Sequence, residues 1–121
     1  MVVAWKDTRE SRRAVTDALP FLKLARKVVV VAIDSDGSPP SSNALAQVAQ
    51  RLARHDVQAT TEETPKGHGT VTEAIEDAAR RHGADLIVAG AYGRSHLQEW
   101  WLGGVTEDLV MSCPKFVLLS H

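Results

Sequence analysis

The sequence predicts a single α/β domain built on a parallel, doubly wound sheet. Short apolar runs alternate along the chain with amphipathic segments of helical spacing. The longest apolar run is β-branched and lacks polar alternation, the pattern of a strand covered on both faces. With 121 residues the chain has room for one hydrophobic core.

Val2 to Trp5 reads as a first strand. It starts so near the beginning of the chain that the domain, spanning 1–121, is expected to be cut from a longer protein. Arg9 to Leu24 carries Ala14, Val15, Ala18, Leu19 and Leu22 on one helical face, with Pro20 expected to kink or shorten the last turns. The run Val28 to Ile33 is the second strand, and Asp34 to Pro40 supplies the loop after it. Ala44, Leu45, Val48, Ala49 and Leu52 mark a second helix, and Val57 to Thr61 a short, polar edge strand followed by a loop from Glu62 to Thr70. Val71, Ala74, Ile75, Ala78 and Ala79 define a third helix stopped at Gly83. Leu86 to Ala89 is a fourth strand entering Gly90, Leu102 to Met111 a last helix, and Phe116 to Leu119 a fifth strand. On a sheet of this kind ligands bind beyond the carboxyl ends of the strands where the order reverses, so the ends of strands one, two and four are the places to look.

The composition, 44% hydrophobic and 24% charged, is that of a folded domain. A formal net charge of −1 gives no electrostatic footprint for nucleic acid. No apolar run reaches the roughly 20 residues of a membrane span, and the N-terminal segment lacks the apolar stretch of a signal peptide. The single cysteine, Cys113, cannot form an internal disulfide, which fits a reducing compartment. The expectation is a cytoplasmic protein that engages neither membrane nor nucleic acid.

The segment Gly90-Ala91-Tyr92-Gly93-Arg94-Ser95-His96 leaves a strand and crosses to Gly103-Gly104-Val105-Thr106 at the start of a helix. Glycines let backbone N–H groups approach an anion closely, and a helix N-terminus adds free donors. Arg94 brings a positive charge, and Ser95 and Thr106 bring hydroxyls. Equally, Gly90 and Gly93 can serve only to shape a tight turn. Neither GxxxxGK[ST] nor GxGxxG is present.

The spacing Gly90-x2-Gly93-x9-Gly103-Gly104 resembles the universal stress protein pattern G-x2-G-x9-G-[ST]. The likeness continues through Leu97, Glu99, Leu102 and Val105-Thr106-Glu107 to Pro114-x-Phe116-Val117-Leu118, and includes Val2 to Trp5, Ala32-Ile33-Asp34 and Ala84 to Val88. The segment Ala4 to Glu10 looks most like the second half of bacterial proteins with two such domains in tandem. The resemblance implies an adenine-nucleotide alpha-hydrolase-like sheet of order 3-2-1-4-5. It also implies an ATP site in which Ala32 meets adenine through its backbone, and Ala89, Gly90, Gly93, Gly103, Gly104, Val105 and Thr106 surround ribose and phosphates. Trp5 ends the first strand and Lys6 and Asp7 follow it in that site, and Arg94 lies in the loop. Mg²⁺ would accompany the nucleotide, with Asp7 or Asp34 as its ligand. Two positions depart from the pattern. Gly104 replaces Ser or Thr, removing a hydroxyl whose bond to a charged group is worth roughly 1.5–3 kcal/mol, and Lys6 replaces the usual acid after strand one. The resemblance further implies pairing through the last strand, Lys115 to Ser120, as a homodimer or with a tandem domain.

The remaining candidates are weaker. Asp7, Asp34 and Asp36 do not make a response-regulator site, because the acidic pair after strand one is absent and strand three ends in Thr-Glu-Glu-Thr. The five histidines have no metal-binding spacing, so most are expected at the surface, with His68, in a glycine-flanked loop, and His96, in the glycine loop, as candidates to lie near the site. Cys113 reads as buried filler, the Trp100-Trp101 pair as either packing or a contact surface, and Arg9, Arg12 and Arg13 as a solvated face. Three functions remain in view: a non-enzymatic nucleotide-binding stress module, a pairing domain with a degenerate site, and a slow ATPase for which no general base is evident.

Overall fold

The computed structural model describes residues 1–6, 9–34, 42–65, 71–90 and 116–120. In chain order the elements are β1 (Val2–Trp5), α1 (Arg9–Leu22), β2 (Val28–Asp34), α2 (Ser42–Arg54), β3 (Ala59–Pro65), α3 (Val71–Arg81), β4 (Leu86–Gly90) and β5 (Phe116–Ser120). The five strands form one parallel sheet of order β3-β2-β1-β4-β5. The chain winds outward from β1 to β2 and β3, then crosses back to place β4 and β5 on the other side. The order therefore reverses between β1 and β4, the position where such sheets bind ligands.

Strand periodicity divides the core in two. Val3, Trp5, Val28, Val30, Ala32 and Val88 face one side, packed with Ala14, Val15, Ala18 and Leu22 of α1 and Leu45, Val48 and Leu52 of α2. Val2, Val29, Val31 and Ile87 face the other, against Ile75, Ala78 and Ala79 of α3. The β-branched run of β2 is thus covered on both faces, which is why it shows no polar alternation.

Two elements differ by two residues or more from the sequence expectation. The first helix ends at Leu22 rather than Leu24 and contains Pro20, whose exposed position in the last turn confines the cost to one missing backbone bond. Leu24 N–H then bonds Phe21 C=O and Ala25 N–H bonds Leu22 C=O, tightening the exit. The third strand begins at Ala59 and runs to Pro65, through residues expected to be loop. In register, Thr60, Glu62 and Thr64 lie beside Val29, Val31 and Ile33. Its polarity follows from its place at the sheet edge, where Pro65 is also tolerated. The expected helix 102–111 lies outside the described residues.

The ends of α2 and α3 share one device. Gly83 has φ 61°, and after α3 its N–H bonds Arg80 C=O (3.2 Å) while Ala84 N–H bonds Ala79 C=O (2.8 Å). This is the Schellman pattern expected for a glycine stop. After α2 the same pair of bonds joins Asp56 to Ala53 (3.1 Å) and Val57 to Leu52 (3.0 Å), but the residue at φ 62° is Asp56. Val57 and Leu52 are both buried, adding the apolar contact that accompanies the motif. An L-residue pays sterically for this conformation, partly offset for glycine by chain entropy. Asp56→Gly is therefore expected to stabilise the fold by about 0.5 kcal/mol, read as a higher urea midpoint at unchanged slope.

Candidate functional site

At the carboxyl end of the sheet one row of residues crosses the strands on the face covered by α1 and α2. Trp5 on β1 pairs in register with Ala32 on β2, and Ala32 with Glu63 on β3. On the other side Ala4 pairs with Ala89, which brings Gly90 alongside Trp5, and Gly90 pairs with Ser120 on β5. A single large ring thus sits between an alanine and a glycine at the point where the strand order reverses.

Gly90 is glycine because of the helix above it. A Cβ at this position would lie 2.5 Å from Ser11 N, 2.6 Å from Glu10 C and 2.9 Å from Glu10 O, all backbone atoms of the first turn of α1. Among the described glycines only Gly83 has a positive φ, so at Gly90 the requirement is space and not a left-handed turn. The close approach seats the N-terminus of α1, the positive end of its dipole, at the carboxyl ends of β1 and β4. The exit from β1 is fixed as well, since Lys6 N–H donates to Ser11 Oγ at 3.3 Å. Ser11 is the one buried polar residue among the described core positions. It was not singled out from sequence, although it lies on the stripe Ser11, Ala14, Val15, Ala18 and Leu22, where a polar residue is a signal.

Trp5 is 8% exposed, and its Nε1–H has no hydrogen-bond partner among the described residues. A buried donor without an acceptor costs about 1–3 kcal/mol. Of the residues expected in a nucleotide site, Trp5, Lys6, Ala32, Ala89 and Gly90 are brought together at this end of the sheet. Asp7, Gly93, Arg94, Gly103, Gly104, Val105 and Thr106 lie outside the described residues. So do Asp36, His68, His96, Trp100, Trp101 and Cys113, while Asp34 closes β2. Arg9, Arg12 and Arg13 are exposed, as expected of a solvated face.

A second polar cluster escaped the sequence reading. Glu62 accepts from Thr64 Oγ1 (2.9 Å) and pairs with Arg81 (2.7 Å) and His82 Nε2 (2.6 Å). On the other side of the imidazole, Lys27 Nζ lies 3.3 Å from Nδ1. With Lys27 donating, Nδ1 accepts and Nε2 carries the proton given to Glu62. Burial alone would raise the Glu62 pKa, but the hydrogen bonds from His82, Arg81 and Thr64, with the Arg81 charge, outweigh it and lower the value to about 2. The cluster ties β3 to the end of α3 and the start of β2, on the face of the sheet opposite to that of the Trp5–Ala32 row. No group of three or more potential metal ligands occurs among the described residues. No helix among them is long and apolar enough to cross a membrane.

A model described as the universal stress protein family matches residues 1–121. No curated protein matches the chain in sequence. Among solved structures it is similar to the universal stress protein UspA from Lactobacillus plantarum, at 21% identity and TM-score 0.76, covering 99% of this chain and 96% of that one. It is also similar to a protein of the universal stress protein family from Burkholderia pseudomallei, at 24% identity and TM-score 0.71, covering 98% and 93%. A universal stress protein in complex with cAMP aligns at 19% identity and TM-score 0.68, covering 99% and 94%.

Proposed function

The chain belongs to the universal stress protein family, and from that premise we propose that it is a non-enzymatic stress-response module that binds an adenine nucleotide, ATP in the first instance, at the carboxyl ends of β1, β2 and β4. The observation that carries this reading is the convergence of Trp5, Ala32, Ala89 and Gly90 where the strand order reverses, under the N-terminus of α1. A family relative crystallised with cAMP supports a nucleotide as the ligand class. Lys6, Asp7, Gly93, Arg94, Gly103, Gly104, Val105 and Thr106 complete the proposed site from the segments that follow β1 and β4, with Mg²⁺ as a companion of the phosphates. The Gly90 to Thr106 loop is assigned the phosphates because glycine N–H groups and Arg94 provide donors without bulky side chains.

A second reading is a pairing domain whose nucleotide site has degenerated. Lys6 and Gly104, which depart from the family pattern, favour it, as does Phe116, 80% exposed on the edge strand β5. In that case the domain joins a second copy or a tandem neighbour through the last strand. Catalysis ranks below both, because the sequence presents no evident general base or water-positioning residue for phosphoryl transfer.

Calorimetric titration of nucleotide-stripped protein with Mg-ATP decides between them. Saturable heat at or below millimolar ATP is the expected result. No heat at millimolar ATP, with no nucleotide released on denaturing the purified protein, would sink the binding module and leave the pairing domain.

A further inference from the structure

Lys27, His82 and Glu62 form a chain of contacts that the nucleotide reading does not use. Lys27 Nζ lies 3.3 Å from His82 Nδ1, and His82 Nε2 lies 2.6 Å from Glu62 Oε2. The carboxylate is itself anchored through Oε1, by Arg81 at 2.7 Å and Thr64 Oγ1 at 2.9 Å. An imidazole that gives its Nε2 proton to a fixed carboxylate keeps its Nδ1 lone pair turned to the lysine. The Glu62 and His82 side chains are only 24% and 20% exposed, whereas Lys27 is open to solvent. The base is held while the amine stays within reach of a small molecule. An amine, an imidazole at hydrogen-bond distance and a third group orienting that imidazole are the parts of an activated nucleophile.

We propose that Lys27 is a site of direct N-acylation by thioesters, with His82 as its general base and Glu62 positioning the imidazole. Lys27 first gives one ammonium proton to solvent. Nζ then attacks the thioester carbonyl carbon, a C–N bond forms, and the carbonyl π pair moves onto oxygen. The nitrogen of this adduct is positively charged, and His82 Nδ1 takes its proton. The oxygen pair returns, the C–S bond breaks, and the thiolate leaves with the proton carried by the imidazolium. The products are an amide at Nζ, a free thiol and one proton in solvent, so no oxidant, reductant or metal is needed. Proton removal at the adduct decides the outcome, because a nitrogen that keeps its proton is expelled again as the amine. Glu62 stabilises the transient imidazolium against the neighbouring charges of Arg81 and Lys27. Acylation removes the Lys27 charge from this surface.

The test exposes the protein at neutral pH to S-acetyl-N-acetylcysteamine, a small uncharged acetyl thioester, and follows each lysine by peptide mass spectrometry. Lys23, exposed and four positions earlier, serves as the internal reference. Lys27 is expected to react about tenfold faster than Lys23, less than the gain from a general base in an enclosed site because water reaches the amine. His82→Gln keeps an N–H for Glu62 and removes the base. It should bring Lys27 down to the Lys23 rate and leave Lys23 unchanged. Glu62→Gln, assayed where it is folded, should lower the Lys27-to-Lys23 ratio and also spare Lys23. A wild-type Lys27 rate no higher than that of Lys23 would overturn the proposal without any variant. An unchanged ratio in His82→Gln would overturn it too, by tracing the reactivity to exposure and not to the imidazole.

Discussion

Replacing Gly90 by alanine is expected to lower the melting temperature by about 10 °C, the equivalent of about 3 kcal/mol in a domain of this size. The added methyl would stand 2.5 Å from Ser11 N and 2.6 Å from Glu10 C. Both belong to backbone, so no side chain can rotate aside. Either the first turn of α1 lifts from the sheet or the end of β4 bends away from β1. Lifting α1 also draws apart Ala14, Val15 and Ala18 from Val3 and Val88, which is why the penalty exceeds that of one crowded methyl. Nucleotide affinity should fall together with stability, because the strand ends and the helix N-terminus separate in the same movement. A melting temperature within 2 or 3 °C of wild type, on the order of the shift from a neutral surface substitution, would show that α1 is held less closely than the geometry requires.

Glu62→Gln should cost about 2 kcal/mol at neutral pH and almost nothing in strong acid. The folded-state pKa of Glu62 is lowered to about 2 from 4.5. A depressed carboxyl stabilises the fold fully above the unfolded pKa and loses that contribution as pH falls through the folded one. The stabilisation is thus complete above about pH 5 and disappears between about 4.5 and 2. The shift corresponds to about 3 kcal/mol, reduced to about 2 because the partners Arg81 and His82 are partly solvated. Urea denaturation of both proteins at a series of pH values measures the difference directly. A gap that does not shrink toward low pH would show that Glu62 acts by packing rather than by its charge.

The architecture was legible where a single physical cause dominates the pattern. Both-face burial made β2 an uninterrupted β-branched run, and one-face burial gave α1, α2 and α3 their spacing, so element order and type followed. Strand β3 is longer than its sequence suggests because an edge strand with Thr60, Glu62 and Thr64 on one face has the composition of a loop. Only the valines beside it in the sheet reveal what it is. The Glu62–His82 contact joins residues 20 apart and had no local signature, so His82 read as one more surface histidine. For Gly90 the structure adds a requirement that sequence does not carry. Sequence suggests a glycine that lets an anion approach or shapes a turn, and the contact of this position with the α1 backbone is information that exists only once α1 is packed. The same holds for Ser11, whose place on an apolar stripe was visible but whose role in holding Lys6 was not. The site residues in the loop after Gly90 rest on the family pattern alone.

The row Ala32–Trp5–Gly90 carries a further consequence for how this end of the domain can vary. The indole is cast in a mould whose walls cannot close: on one side an alanine already small and held in a central strand, on the other a glycine pinned beneath a helix. A smaller residue at position 5 would leave a void that neighbouring side chains cannot fill, and a larger residue at 32 or 90 would have no void to enter. The three positions therefore form one inheritable unit of volume. Change in the reach or selectivity of this site is free to arise in the loops around it, while the floor they stand on admits few single substitutions.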